Sequence, residues 1–301
     1  VSAGRFKAID QLRRRARYDA LLREQADHLA AQATVEMEIE NAAIEDDRLR
    51  LIFTCCHPGL APQAQVALTL REVCGLTTEA IARAFLSKPA TVAQRIVRAK
   101  GKIRDAKIPY EVPEGAALAE RLQSVLQVIY LVFNEGYLAS SGEQALRHDL
   151  SEEAIRLAEL VLALLAERTD QPDPECQGLL ALMLLHHARR ATRTDAQGEL
   201  VLLENQQRSL WDRQEIQRAD QLVRQALLSR RFGPYTLQAA IAAVHAQSPS
   251  SAETDWQEIV GLYDLLMQHM PTPIVALNRA AALAMRDGPE AGLQALEPLM
   301  E

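Results

Sequence analysis

Seven side chains on a short stretch of chain could together read nucleic acid: Lys88, Thr91, Gln94, Arg95, Arg98, Lys100 and Lys102. An amide can pair bidentately with adenine, a guanidinium with guanine or with phosphate, and ammonium groups and hydroxyls suit phosphate. A basic run on a helix is also what an ordinary solvated face looks like, so its setting has to decide. The other chemistry-bearing clusters lead elsewhere. Cys55-Cys56-His57 offers metal-type ligands, but adjacent cysteines on a helix point in different directions, and no second pair at zinc-like spacing follows. Buried structural thiols are expected there. His186-His187 sits in the apolar run GLLALMLLHHARR, where hydrogen bonding within a core outweighs metal binding. His245 with Asp255 and Trp256 hints at acid–base work, yet nothing supplies a nucleophile or a phosphate loop. Phe133-Asn134-Glu135-Gly136-Tyr137 sets polar groups inside an apolar helix, and buried polar groups need partners. A hydrogen-bonding hub between domains is expected. No catalytic residue, metal or cofactor is called for, and the chain reads as a non-enzyme.

The elements that would position the cationic residues can be placed from punctuation and periodicity. Residues 47–56 (DRLRLIFTCC) carry an apolar face that His57-Pro58-Gly59 ends, and Gln63–Val73 is a second short helix stopped near Gly75. Thr77 offers an N-cap for Thr78–Phe85, with Glu79 in the first turn. Ile81, Ala82 and Phe85 face inward. Leu86–Lys88 is a tight connection, although the turn Phe85-Leu86-Ser87-Lys88 contains no glycine. Pro89 suits the first turn of the next helix, where its missing N–H is harmless. That helix, Ala90 to about Lys102, buries Val92, Ile96 and Ala99 and exposes Gln94, Arg95, Arg98 and Lys102. Two helices so arranged form a helix-turn-helix with its second helix built for the major groove.

Upstream, GRFKAIDQLRRRAR (4–17) reads as a basic amphipathic helix, and residues 18–43 as an acidic linker. Beyond the boundary marked by Pro109 and Pro113 everything is helical: about 116–139, 150–168, 174–191, 207–230, 234–247, 252–270, 272–287 and 289–300. The last pair resembles a tetratricopeptide (TPR) hairpin, with small residues at Ala280 and Ala284 and a Gly288-Pro289 turn. The fold class is therefore all-α: a helix-turn-helix domain at 44–110, then a helical extension from 114 to 301. Composition agrees, with 4% aromatic residues and 48% apolar ones. No stretch approaches the ~18 uncharged apolar residues of a membrane span, and four cysteines form no disulfide-like framework. A cytoplasmic protein with no membrane partner is expected. The net charge of −7 hides a division. Residues 1–110 carry 18 Lys/Arg against 13 Asp/Glu, whereas residues 111–301 carry 15 against 27. Between Arg83 and Lys107 eight basic residues face Asp105 alone. A local patch of this kind suffices for nucleic acid.

LTTEAIARAF (76–85), followed by Thr91-Val92-Ala93-Gln94-Arg95, resembles region 4 of the extracytoplasmic-function (ECF) sigma factors. GRFKAIDQLRRRAR resembles the end of region 2 in that family. RLRLIFTCCHPGLAP, VIYLVFNEGY, ELVLLENQQRSLWDR and GPYTLQAAIAAVHA match the subgroup with a long, TPR-like C-terminal extension. The resemblance implies that RNA polymerase core and promoter DNA are the partners. Region 4 would dock on the β-flap through the apolar outer surface of residues 49–75, and the recognition helix would enter the −35 major groove. Gln94 would contact a base edge. Arg95 and Arg98 would read guanine or clamp phosphate, and Lys88, Thr91, Lys100 and Lys102 would hold phosphates. Arg5, Lys7, Arg13 and Arg14 would be the remnant of the −10 region, the body of region 2 being absent. The acidic 36–47 stretch would occupy the polymerase channel that later holds RNA. The C-terminal part would regulate the factor, by masking the basic region or by binding an unknown protein or ligand. The competing readings are a one-component regulator that acts without polymerase, and a TPR-type scaffold.

Overall fold

The structure, a computed structural model, describes residues 47–137, 145–166, 168, 171–195, 197 and 199–299. Arg5, Lys7, Arg13 and Arg14, with the acidic linker up to residue 46, lie outside the described residues. The described chain is all-α, and an isolated bridge between Thr194 and Leu200 is its sole β-type pairing.

Among the described residues twelve helices follow one another: α1 (47–55), α2 (Pro62–Leu68), α3 (Thr78–Ala84), α4 (Pro89–Asp105), α5 (Gly115–Tyr137), α6 (Ala145–Ala166), α7 (Pro174–His187), α8 (Arg213–Leu228), α9 (Pro234–Gln247), α10 (Trp256–His269), α11 (Pro273–Asp287) and α12 (Pro289–Leu296). His57 and Gln65 close the α1–α2 corner: Gly59 N–H donates to His57 Nδ1 (3.0 Å), and Gln65 Nε2 donates to the carbonyls of Cys56 (3.1 Å) and His57 (2.8 Å). After Leu68 the helix widens into a π-turn over Thr69–Val73, where Cys74 N–H reaches Thr69 O (3.1 Å). Cys55 and Cys56 are buried, and burial raises both thiols, that of Cys56 to about 12. They act as small apolar side chains.

α5 to α12 pack mainly on their neighbours in sequence, and α7 also packs on α9. α5 packs on α6, α7 on α8 and α9, α10 on α9 and α11, and α11 on α12. The α11–α12 contact is as close as the small residues suggest, since a Cβ added at Gly292 would lie 2.6 Å from Ala284 Cβ and 3.0 Å from Ala280 O. One difference from expectation is the stretch 188–212, read in part as helix. Its described residues hold short 3-10 turns, at Arg190–Thr192, Leu203–Asn205 and Arg208–Leu210, and the Thr194–Leu200 bridge in place of a helix. Two interactions force this. Trp211 is buried and donates from Nε1 to Thr192 Oγ1 (2.9 Å), which folds the segment back on itself. Asp212 then accepts from Gln214 N–H and Glu215 N–H and so fixes the start of α8.

The core does not stop at Pro113. Leu49, Ile52, Phe53, Val66 and Leu70 belong to the same buried cluster as Val125, Ile129, Phe133, Leu157 and Leu182. α2 packs on α5, and Arg121 Nη2 donates to Phe53 O (2.6 Å). The buried side chains of residues 49–75 thus belong to a core shared with the extension, and outward positions such as Gln63 and Arg71 stay exposed. By length and composition α5 would suffice to cross a membrane. Its apolar side chains Leu122, Val125, Ile129, Val132 and Phe133 are instead buried in the protein core.

Candidate nucleic-acid interface

The helix-turn-helix is built from α3 and α4. Thr77 caps α3, its Oγ1 accepting from Ala80 N–H (3.1 Å). Ile81 and Ala82 are buried and Phe85 is half-buried, so α3 presses its apolar side inward. The turn is closed by Ser87 N–H to Ala82 O (2.8 Å) and Leu86 N–H to Arg83 O (3.2 Å). Leu86 adopts φ +45°, the left-handed conformation that a glycine would take without strain. Lys88 is the N-cap of α4, and Pro89 occupies its first turn.

α4 buries Val92, Ile96 and Ala99, as its periodicity indicates. On the other side Lys88, Thr91, Gln94, Arg98 and Lys102 are exposed, at spacings that place them along one stripe. Lys88, Arg98 and Lys102 have no carboxylate partner among the described residues. Two of the proposed contacts sit differently. Lys100 Nζ pairs with Glu72 Oε1 (2.9 Å), which ties α4 to the π-turn. Arg95 is half-buried and lines a cleft of about 460 Å³ between the helix-turn-helix and α5, together with Phe85, Leu86, Leu131 and Glu135. The structure therefore brings Lys88, Thr91, Gln94, Arg98 and Lys102 together on the exposed side, with Arg95 on the same stripe beside its cleft and Lys100 tied to Glu72.

Beside the polar stripe, Ala90, Ala93 and Val97 make an exposed apolar flank, Val97 being 67% exposed. Such a flank suits thymine methyl groups. Nothing in the sequence marks it, because alanine and valine on a helix ordinarily signal core. Arg83, at the end of α3, is also exposed and unpaired with any carboxylate among the described residues.

The polar run in α5 resolves around its last residue. Tyr137 OH meets His186 Nδ1 (3.2 Å) and accepts from Arg189 Nη2 (2.7 Å), its ring stacks on Phe133, and the Arg193 guanidinium lies 3.4 Å from its centroid. Asn134 is half-buried and Glu135 exposed, so Tyr137 rather than the Asn-Glu pair is the hub. The His186-His187 pair divides its work: His186 joins this hub, and His187 Nδ1 meets Glu215 Oε1 (2.9 Å) across the α7–α8 contact. His245 packs edge-on against Trp256.

Comparison with known proteins places the helix-turn-helix firmly. Residues 50–103 match the "Sigma-70, region 4" family. Residues 121–227 match a family of unknown function (DUF6596). An uncharacterized protein of Rhizobium meliloti (strain 1021) is 46% identical over 303 residues, spanning 100% of this chain and 70% of its own. No solved structure matches.

Proposed function

The chain belongs to the same family as the Rhizobium meliloti protein and, through its region 4, to the sigma-70 family; on that premise we propose that it guides RNA polymerase to promoters by laying α4 in the major groove of the −35 element. It acts as a transcription factor of the ECF type and not as an enzyme. The observation that carries this reading is the outward stripe of α4, where an amide and unpaired cations stand on the face opposite Val92, Ile96 and Ala99.

Gln94 reads a base edge, Arg98 reads guanine or clamps phosphate, and Lys88, Thr91 and Lys102 hold the backbone on either side. Lys100 braces α4 through Glu72, and Arg95, half-exposed on the same face, adds its charge beside the stripe. Polymerase core is the protein partner, and the cytoplasm is the compartment that follows. Docking on the polymerase uses the outward positions of residues 49–75 that the packing on α5 leaves exposed. The helical extension regulates the factor or binds a further partner.

The test is selection from a random duplex pool by the chain together with core polymerase. A short enriched motif that is blurred by Gln94→Ala, and a binding slope against salt reduced by about one unit in Arg98→Ala or Lys102→Ala, are expected. A palindromic motif selected equally well without polymerase would instead mark an autonomous regulator, and no motif at all a scaffold.

A further inference from the structure

Far along the chain from the DNA-facing stripe, α7, α9, α10 and α11 enclose a cavity of about 480 Å³. That lies within the range of sites that take a small organic molecule, roughly 300–1,000 Å³. Most of the wall is apolar, with Leu182, Leu185, Ile241, Leu266 and Val275 from four elements. One part of it is not. Arg189 and His245 line the cavity, and two further guanidinium groups stand behind them.

The cationic group is unusual in how it is satisfied. Arg189 Nη2 is held by Tyr137 OH (2.7 Å) and His186 Nδ1 (3.0 Å), and its guanidinium faces the Trp211 ring at 5.9 Å. Arg208 is 7% exposed, donates to the carbonyls of His245 (2.5 Å) and Ser248 (2.8 Å), and faces the same ring at 5.1 Å. Arg193 lies over Tyr137. None of the three pairs with a carboxylate among the described residues. The adjacent Arg190 shows what an ordinary arginine here does, pairing with Glu215 (3.2 Å). Buried and half-buried cations without a counter-charge are unfavourable, and an anion placed beside them relieves that. In addition, His245 Nδ1 is a buried polar atom with no hydrogen-bond partner.

We propose that this cavity binds a small amphipathic carboxylate, its carboxylate on Arg189 beside His245 and its apolar body against Leu182, Ile241, Leu266 and Val275. A carboxylate suits the site better than a phosphate ester. Arg189 is the sole cation on the lining, so one bidentate contact is on offer, whereas a dianion would need several donors. The site does not depend on the promoter reading, and its test involves no DNA.

The chain has two tryptophans, and both adjoin the site: Trp211 against Arg189 and Arg208, Trp256 against His245 at 5.2 Å. Intrinsic fluorescence of the whole chain therefore reports on it. Decanoate and decanol are the probes, titrated below their micellar range. A saturable change in emission is expected with decanoate, at an affinity at least about tenfold above decanol, since a charge-assisted bond is worth more than the ~1.4 kcal/mol of one decade. Arg189→Met should abolish that preference, and Ala242→Phe, which fills the cavity, should abolish binding without changing the circular dichroism spectrum. Equal affinity for the two probes, no saturable response to either, or unchanged decanoate binding by Arg189→Met would overturn the proposal. If Arg189→Met does not fold, Ala242→Phe decides, and retained decanoate binding by it overturns the proposal.

Discussion

Leu86 is the residue at which the helix-turn-helix is strained. Its φ of +45° is the conformation the turn requires, and its side chain is 85% exposed, so little packing repays the β-carbon. A left-handed L-residue costs about 1–2 kcal/mol, and the extra freedom of glycine in the unfolded chain returns part of it. Leu86→Gly is therefore expected to stabilise the protein by about 0.5–1 kcal/mol, seen as a higher urea midpoint at unchanged m-value. A lower midpoint would mean that Leu86 contributes more to the cleft beside Arg95 than its exposure implies. The missing glycine was plain in the sequence. Which residue takes the left-handed position was not, because that depends on how Ser87 and Leu86 close α3. The two half-buried histidines also leave a trace on stability. Burial, with Arg189 and Arg193 beside it, lowers His186 from 6.5 to about 3, and burial with Arg208 and Arg189 lowers His245 to about 4. Both are neutral in the folded protein where the unfolded chain would take up a proton. Stability is then full above pH 6.5 and falls as the pH drops below it, with a limiting slope of about 1.4 kcal/mol per pH unit for each group. Denaturant titrations at pH 7 and near pH 5, above most carboxylate titration, should show the loss, and His245→Phe should about halve it. A flat profile would show that these rings are solvated more than their surroundings suggest.

At the scale of elements, the helices are set by their first residues more than by their apolar runs. Thr77 and Pro89 fix α3 and α4 from within the local sequence, which is why both starts could be read in advance. α9 is different. Its start is capped from another helix: Glu175 on α7 accepts from the N–H groups of Gly233 (2.9 Å), Tyr235 (2.9 Å) and Thr236 (3.0 Å). No local signal announces a cap that lies 58 to 61 residues away in the chain. The same holds for 188–212, whose path follows from burying Trp211 and Arg208. Glu175→Ala removes a carboxylate from three orphan donors at once and is expected to destabilise the protein by about 2–3 kcal/mol. Glu175→Gln, which keeps one acceptor oxygen, should lose less. Next to it, a Cβ at Gly178 would fall 2.5 Å from Thr236 N, so Gly178→Ala must push α9 off α7. Its midpoint should fall by at least as much as that of Glu175→Ala. If Gly178→Ala were neutral, the α7–α9 contact would be looser than the structure has it.

At the scale of the whole molecule, the charge division and the shared core lead to different conclusions about the extension. An acidic half beside a basic one suggested that the extension masks the DNA-facing helix. The outward stripe of α4 is exposed, however, and α5 is packed behind the helix-turn-helix, on α2. Sequence could not reveal this, because α5 shows the same apolar periodicity whether it packs on its own neighbours or on another domain as well. Pro109 and Pro113 looked like a boundary, and at the level of backbone direction they are one. Energetically they are not. A chain ended after Pro113 would return Leu49, Ile52, Phe53 and their neighbours to water on the side where α5 now lies. Three such side chains, at about 1.5–3 kcal/mol each, amount to about 5–9 kcal/mol, comparable with the ~5–15 kcal/mol that holds a whole domain folded. Such a truncation is therefore expected to lose cooperative unfolding and to bind a hydrophobic dye, and its DNA affinity would report on unfolding and not on unmasking. If the truncated chain kept a sharp thermal transition, the core would divide at Pro113 after all. The extension would then be an attachment to the DNA-binding part and not a piece of the same fold.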